Sequence, residues 1–196
     1  MQKQSDEVSM RRIVVSEFVS LDSVIENPVW TFRFTGEEQQ RFKYDELSAA
    51  DALLLGRVTY EGFAAAWPHM TEQAGEYAGM VNGYPKYVVS RTLEEPLGWN
   101  NSTLIKGDVA EEVSRLKELP GKDILVFGSG KLVNTLMEHD LIDEYRLMVF
   151  FTVVLGTGRR LFGDGVEQTA LELVGNDRLE TGVVLTYRPA EKKAEG

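Results

Sequence analysis

The stretch ILVFGSGKLVNTL, Ile124 to Leu136, decides how the chain is read. An apolar run ends in Gly128-Ser129-Gly130-Lys131, and a segment with helical spacing follows. A strand that ends in small residues and feeds a helix is one half of a βαβ unit, from which parallel sheets are built. The glycines admit an oxygen-bearing ligand close to the backbone, and the N–H groups opening a helix favour an anion. The same composition also serves as a plain turn. The flanking sequence has to decide.

The pattern recurs on both sides. RIVVSEFVS, Arg12 to Ser20, is rich in β-branched residues and is the expected first strand. SLDSVIENPVW is an irregular loop, because Pro28 excludes a continuing regular element. GEEQQRFKYDELSAA carries acids early and apolar residues later, as an amphipathic helix does. DALLLG is apolar throughout, the mark of a strand buried on both faces, and RVTYEGFAAAW is a helix stopped before Pro68. PKYVVS and STLIKG are further strands, and DVAEEVSRLKEL is a helix with Asp108 at its N-cap. After ILVF, KLVNTLMEHD is a helix and LIDEYRLMVFFTVVLG a long strand region whose LMVFFTVVL run is expected in the core. TALELVGNDRLETGVVLTYRP predicts two strands joined at Asn176-Asp177. Strands alternating with helices, closed by a hairpin, mean an α/β fold with a mainly parallel sheet and an antiparallel edge. The domain is expected over 11–189, with flexible tails at 1–10 and 190–196.

Three of the apolar runs end alike. ALLL leads into Gly56-Arg57-Val58-Thr59, YVV into Ser90-Arg91-Thr92, and ILVF into Gly128-Ser129-Gly130. In a parallel sheet such ends share one edge, and ligands bind outside that carboxyl edge. Small residues, hydroxyls and two planar guanidinium groups suit a phosphate-bearing ligand.

Composition narrows the classes. The chain has 196 residues, no cysteine and a net charge of -10. Disulfides and thiolate sites are excluded, and a general nucleic-acid binder is disfavoured for want of clustered cations. No apolar stretch approaches a membrane span, and the start MQKQSDEVSM lacks a signal peptide's apolar core, so cytoplasmic residence is expected. His69 is expected on a surface loop and His139 near a helix end, and neither has metal-ligand spacing. Glu111, Glu112 and Arg115 are expected to form a solvated helix face.

The opening stretch fails two common frameworks. A P-loop would need glycine at Leu125, and the dinucleotide fingerprint would need it at Val133. Ser129 has no Gly-x-Ser-x-Gly setting and no histidine partner for nucleophilic work. Taken in order, SLDSVIE, DALLLGRVTYEGFAAAW, KYVVSRTL, VFGSGKLVNTL, LIDEYRLMVF and VVLGTGRRLF resemble the dihydrofolate-reductase-like superfamily. The likeness is strongest to the branch of the RibD C-terminal reductase domain, and it runs from about Arg12 to Tyr187.

That resemblance implies a mixed, mainly parallel eight-stranded sheet flanked by about four helices, with NADPH as hydride donor. It implies Gly56, Arg57 and Thr59 at the cofactor phosphates, and Ser90, Arg91 and Thr92 at the adenosine ribose and its 2′-phosphate. Gly128, Ser129, Gly130, Lys131 and Leu132 would lie around the pyrophosphate and nicotinamide. Asp22, in the SLD loop, is the candidate for substrate binding and catalysis, and Trp30 could wall a flat heterocycle or belong to the core. Glu37, Glu38 and Asp45 of the first helix match no family motif. Two departures stand out: Ser23 occupies the glycine of the family's SLDG loop, and Thr152-Val153 replaces proline before LGTG, which bears on substrate contacts at Gly156 to Arg160. The implied activity is reduction of a small heterocycle or ribosylaminopyrimidine, without the zinc-deaminase signature that accompanies some such reductases. Alternatives are a true dihydrofolate reductase and a non-catalytic NADPH-binding regulator. Dimers are common among such relatives, while the sequence itself leaves the assembly open.

Overall fold

The computed structural model describes residues 10–154, 158–162 and 169–191. Residues 1–9 and 192–196 of the expected tails lie outside them. Eight strands form one sheet in the order β4-β3-β2-β5-β1-β6-β8-β7. The strands are β1 Ile13–Val19, β2 Ala50–Gly56, β3 Lys86–Val89, β4 Ser102–Ile105, β5 Asp123–Phe127, β6 Glu144–Phe150, β7 Leu171–Leu179 and β8 Gly182–Pro189. All neighbours from β4 through β6 pair parallel, and β8 and β7 add antiparallel.

Alternation along the strands divides the core. Ile13, Val15, Leu54, Ile124 and Val126 pack with Val113 and Leu116 of α4 (Val109–Glu118) and Leu132 and Leu136 of α5 (Gly130–Glu138). Val14, Leu53, Leu55 and Leu125 pack on the other face with Leu47 of α1 (Glu37–Ser48), Tyr60 of α2 (Arg57–Ala66) and Val81 of α3 (Thr71–Gly83). Leu53, Leu54 and Leu55 are fully buried, so β2 is wholly internal as its composition requires. Truncating one of them to alanine costs about 2–5 kcal/mol.

The sequence pattern departs from the structure in three places. Helix α3 is a fifth α-helix where about four are expected. Its glycines weaken the pattern, and Gly75 breaks it with φ 49, yet burial of Ala78 and Val81 holds it to the sheet. The hairpin turns at Glu180-Thr181, not at Asn176-Asp177, which pair with Leu185 and Val184. Position 182 sets this register, because a Cβ there would lie 2.4 Å from the Val149 carbonyl oxygen, and only glycine lets β8 close on β6. Finally, β6 ends at Phe150, and Phe151 and Val153 are exposed instead of core. The chain leaves the sheet there to meet the Asp22 loop, where Leu21 N–H donates to Thr152 O at 2.8 Å. Leu155 lies outside the described residues.

Candidate active site

Strands β3, β2 and β5 are consecutive neighbours, so their carboxyl ends lie side by side. Gly56 pairs with Val89, and the Leu54–Val126 register sets Gly56 level with Gly128. The three turns singled out by sequence therefore share one edge. Two of them open helices, α2 at Arg57 and α5 at Gly130, and neither helix has a side-chain cap. By contrast, Asp108 caps α4 by accepting the Glu111 N–H at 3.0 Å. The positive ends of α2 and α5 thus remain available for an anion.

The ends are wired together. Gly56 N–H donates to Ser129 Oγ at 2.9 Å, and Ser129 N–H donates to Thr59 Oγ1 at 3.1 Å. Gly128 and Ser129 both adopt left-handed backbone, with φ 54 and 64. A Cβ on Gly128 would come within 2.9 Å of Thr59 Oγ1, so the turn needs glycine for conformation and for space. Arg57 Nη1 donates to Thr92 Oγ1 at 2.7 Å, and its Nε pairs with Glu61 at 2.9 Å. Ser90 Oγ accepts the Thr92 and Leu93 N–H groups, which folds the Ser90–Thr92 turn on itself. Arg91 and Lys131 are exposed beside these turns. Leu132 is buried in the core beneath α5.

The other half of the edge belongs to the Asp22 loop. Asp22 Oδ1 accepts from Ser20 Oγ at 2.6 Å and from Val154 N–H at 2.9 Å. These donors hold its carboxyl below the ordinary aspartate range, with the Ser20 hydroxyl contributing most. Ser23 sits at φ 69, a left-handed position that glycine would adopt without strain. Trp30 lies in a 3₁₀ segment, Pro28–Phe34, and meets Phe150 edge to face at 5.6 Å. It is half-buried, so it belongs both to a small aromatic core and to the edge.

Glu17 on β1 and Lys43 and Glu46 on α1 carry no motif in the sequence, and they lie between these halves. Glu17 is 3% exposed on β1. Since Ser16 pairs with Phe127, Glu17 stands one residue on, level with Gly128. Burial raises its pKa well above the carboxylate range, against the pull of Lys43 and the Gly128 N–H. Lys43 Nζ donates to Ser16 Oγ at 2.9 Å, pairs with the Glu46 carboxylate, and sits 4.3 Å from the Phe127 ring centroid. Arg146 Nη1 approaches Glu46 at 3.9 Å. A Ser-Glu pair inside an otherwise apolar strand was the available signal. Glu37, Glu38 and Asp45 are exposed on α1, and its buried acid is Glu46. His69 and His139 are exposed, and no acid or histidine cluster suited to a metal occurs among the described residues.

Comparison with known proteins gives one family match, the RibD C-terminal domain, over residues 11–185. The chain belongs to the RibD C-terminal domain family. YyaP of Bacillus subtilis (strain 168), an uncharacterized protein, is 31% identical over 182 residues, 92% of this chain and 95% of its own. The structure of a putative riboflavin biosynthesis protein from Shewanella sp. PV-4 superposes with TM-score 0.63 at 21% identity, covering 92% of this chain and 99% of that one. A Thermotoga maritima diaminohydroxyphosphoribosylaminopyrimidine deaminase/5-amino-6-(5-phosphoribosylamino)uracil reductase also gives 0.63, at 16% identity, covering 92% and 57%. These likenesses establish that this RibD C-terminal domain has the fold of riboflavin-pathway reductases. No helix among the described residues is long and apolar enough to cross a membrane.

Proposed function

We propose that this RibD C-terminal domain protein is an NADPH-dependent reductase acting on a C=N or C=O of a small heterocycle, of the ribosylaminopyrimidine type. The observation that carries the reading is the alignment of three strand ends with two uncapped helix starts and the cations Arg57, Arg91 and Lys131. That donor set fits a dinucleotide with several phosphates better than a single anion.

Gly56, Arg57 and Thr59 would hold phosphate at the start of α2. Ser90, Arg91 and Thr92 would take the adenosine ribose and its 2′-phosphate, with Arg57 reaching Thr92 across the two turns. Gly128, Ser129, Gly130, Lys131 and Leu132 would border the pyrophosphate and nicotinamide. The bound cofactor would supply the hydride, and the protein would orient, exclude water and manage the proton. Asp22, ionised and anchored through Oδ1, offers its second oxygen to a substrate N–H or O–H. Trp30 offers an apolar wall beside it.

The test is the loss of NADPH absorbance when the protein meets 5-amino-6-(5-phosphoribosylamino)uracil. Turnover with NADPH that exceeds turnover with NADH is the expected result. No oxidation of either cofactor overturns the substrate reading.

A further inference from the structure

We infer that Glu17 is a proton source of this site, a buried carboxyl presented at the Gly128 turn. The inference rests on the reductase reading above. Two observations of geometry carry it. Glu17 is 3% exposed, and its Oε1 is buried with no hydrogen-bond partner among the described residues. Register sets it level with Gly128, at the point where β5 ends and β1 continues, so one side of the strand there is no longer covered by a ladder partner. One nearby cation, Lys43, favours the carboxylate left once the proton leaves.

The neighbours of Glu17 define how the acid behaves. From α1, Lys43 favours its ionised form and Glu46 opposes it. From the β5 turn, the Gly128 N–H also favours the ionised form. From β6, Arg146 is directed to Glu144 at 2.7 Å and toward Glu46 at 3.9 Å. Burial outweighs Lys43 and Gly128, so the carboxyl holds its proton to well above the ordinary glutamate range. Asp22 is the opposite kind of carboxyl, ionised and already accepting two hydrogen bonds. Two carboxyls at one edge with pKa values pushed apart is the arrangement that assigns acid and anion roles.

Addition of a hydride to the carbon of a C=N or C=O leaves an electron pair on the nitrogen or oxygen. That atom takes the Glu17 proton as the carboxyl O–H bond breaks and an N–H or O–H bond forms. The resulting carboxylate is stabilised by the Gly128 N–H and, through space, by the charge of Lys43 until solvent returns a proton. A positioned acid of this kind contributes about 10²–10⁴-fold to rate.

Infrared difference spectroscopy of wild type against Glu17→Gln tests the assignment without turnover. The wild type should show a protonated-carboxyl C=O band at pH 7 that is missing from the variant, and the band should shift when NADPH is added. Lys43→Gln should move the disappearance of that band to higher pH, since the cation that favours ionisation is gone. Absence of the band in wild type at pH 7 overturns the proposal, as does a band indifferent to NADPH. In turnover of 5-amino-6-(5-phosphoribosylamino)uracil, Glu17→Gln should lower kcat by at least about 100-fold with an unchanged KM for NADPH. An unchanged kcat and pH profile also overturns it. The two readings fail separately: a wild type that oxidises no NADPH defeats the substrate reading, while the infrared band still decides Glu17.

Discussion

Two buried glutamates on adjacent parallel strands meet opposite fates. Glu144 opens β6 at the amino edge of the sheet, and Glu17 lies near the carboxyl edge on β1. Burial opposes ionisation of Glu144, yet Arg146 at 2.7 Å, Arg188 at 3.0 Å and Arg12 at 3.1 Å outweigh it, and its pKa falls below the usual value. Glu17 has one cation nearby and an oxygen without a partner. The amino edge spends its polar groups on one another, through Arg12–Asp123 and Lys117–Asp143 as well. At the carboxyl edge, donors and acids remain partly free. A buried charge that is fully matched fixes structure, and one left incompletely matched is available for chemistry.

Breaking the amino edge should give the largest effect. Glu144→Ala leaves Arg146, Arg12 and Arg188 crowded around a removed anion and should cost about 3–5 kcal/mol of unfolding free energy in urea titration. NADPH affinity of the folded fraction should be unaltered. Gly128→Ala, at the carboxyl edge, forces a Cβ against Thr59 in left-handed backbone and should cost about 1–2 kcal/mol. It should also abolish the rise in Tm expected on addition of NADPH, a rise that Glu144→Ala should leave in place.

Glu17→Gln should act with the reverse sign. A carboxyl whose folded pKa lies well above its ordinary 4.5 contributes its stability below that value and loses it as pH rises toward the folded pKa. The variant should therefore be more stable than wild type at pH 7–8, with the gain vanishing toward pH 4 in urea titrations across pH. Stability gained while turnover falls is the expected trade at a functional site. The smallest effect belongs to Ser23→Gly, which relieves a left-handed serine and should raise stability by no more than about 1 kcal/mol, measured as a small rise in Tm.

Much of this contrast was legible in the chain. DALLLG, YVVS and ILVFGSG announced parallel strands, and their shared ends pointed to the edge now seen at Gly56, Ser90 and Gly128. Such signals are local, because apolar period and turn residues act over a few positions. What was missed depends on register and tertiary packing. Glu17 became informative once β1 was set against β5, and Glu46 once α1 was laid on the sheet beside Ser16 and Lys43. Helix α3 was hidden by its glycines, and the hairpin turn by the need of Gly182 to pack on Val149. The Gly156–Arg160 substrate contacts implied by resemblance fall partly outside the described residues, although Ile25 N–H does meet Arg159 O at 2.9 Å.

Binding of a 2′-phosphorylated dinucleotide at the carboxyl edge is the central expectation of the proposed function. Calorimetric titration of NADPH and NADH into wild type and into Arg91→Ala and Arg57→Ala tests this directly. Loss of one charged hydrogen-bond donor to phosphate is worth about 1.5–3 kcal/mol, so each variant should weaken NADPH by about tenfold or more. Wild type should prefer NADPH over NADH, and Arg91→Ala should lose that preference. Equal affinity of wild type for the two cofactors, or no binding of either, would contradict the account.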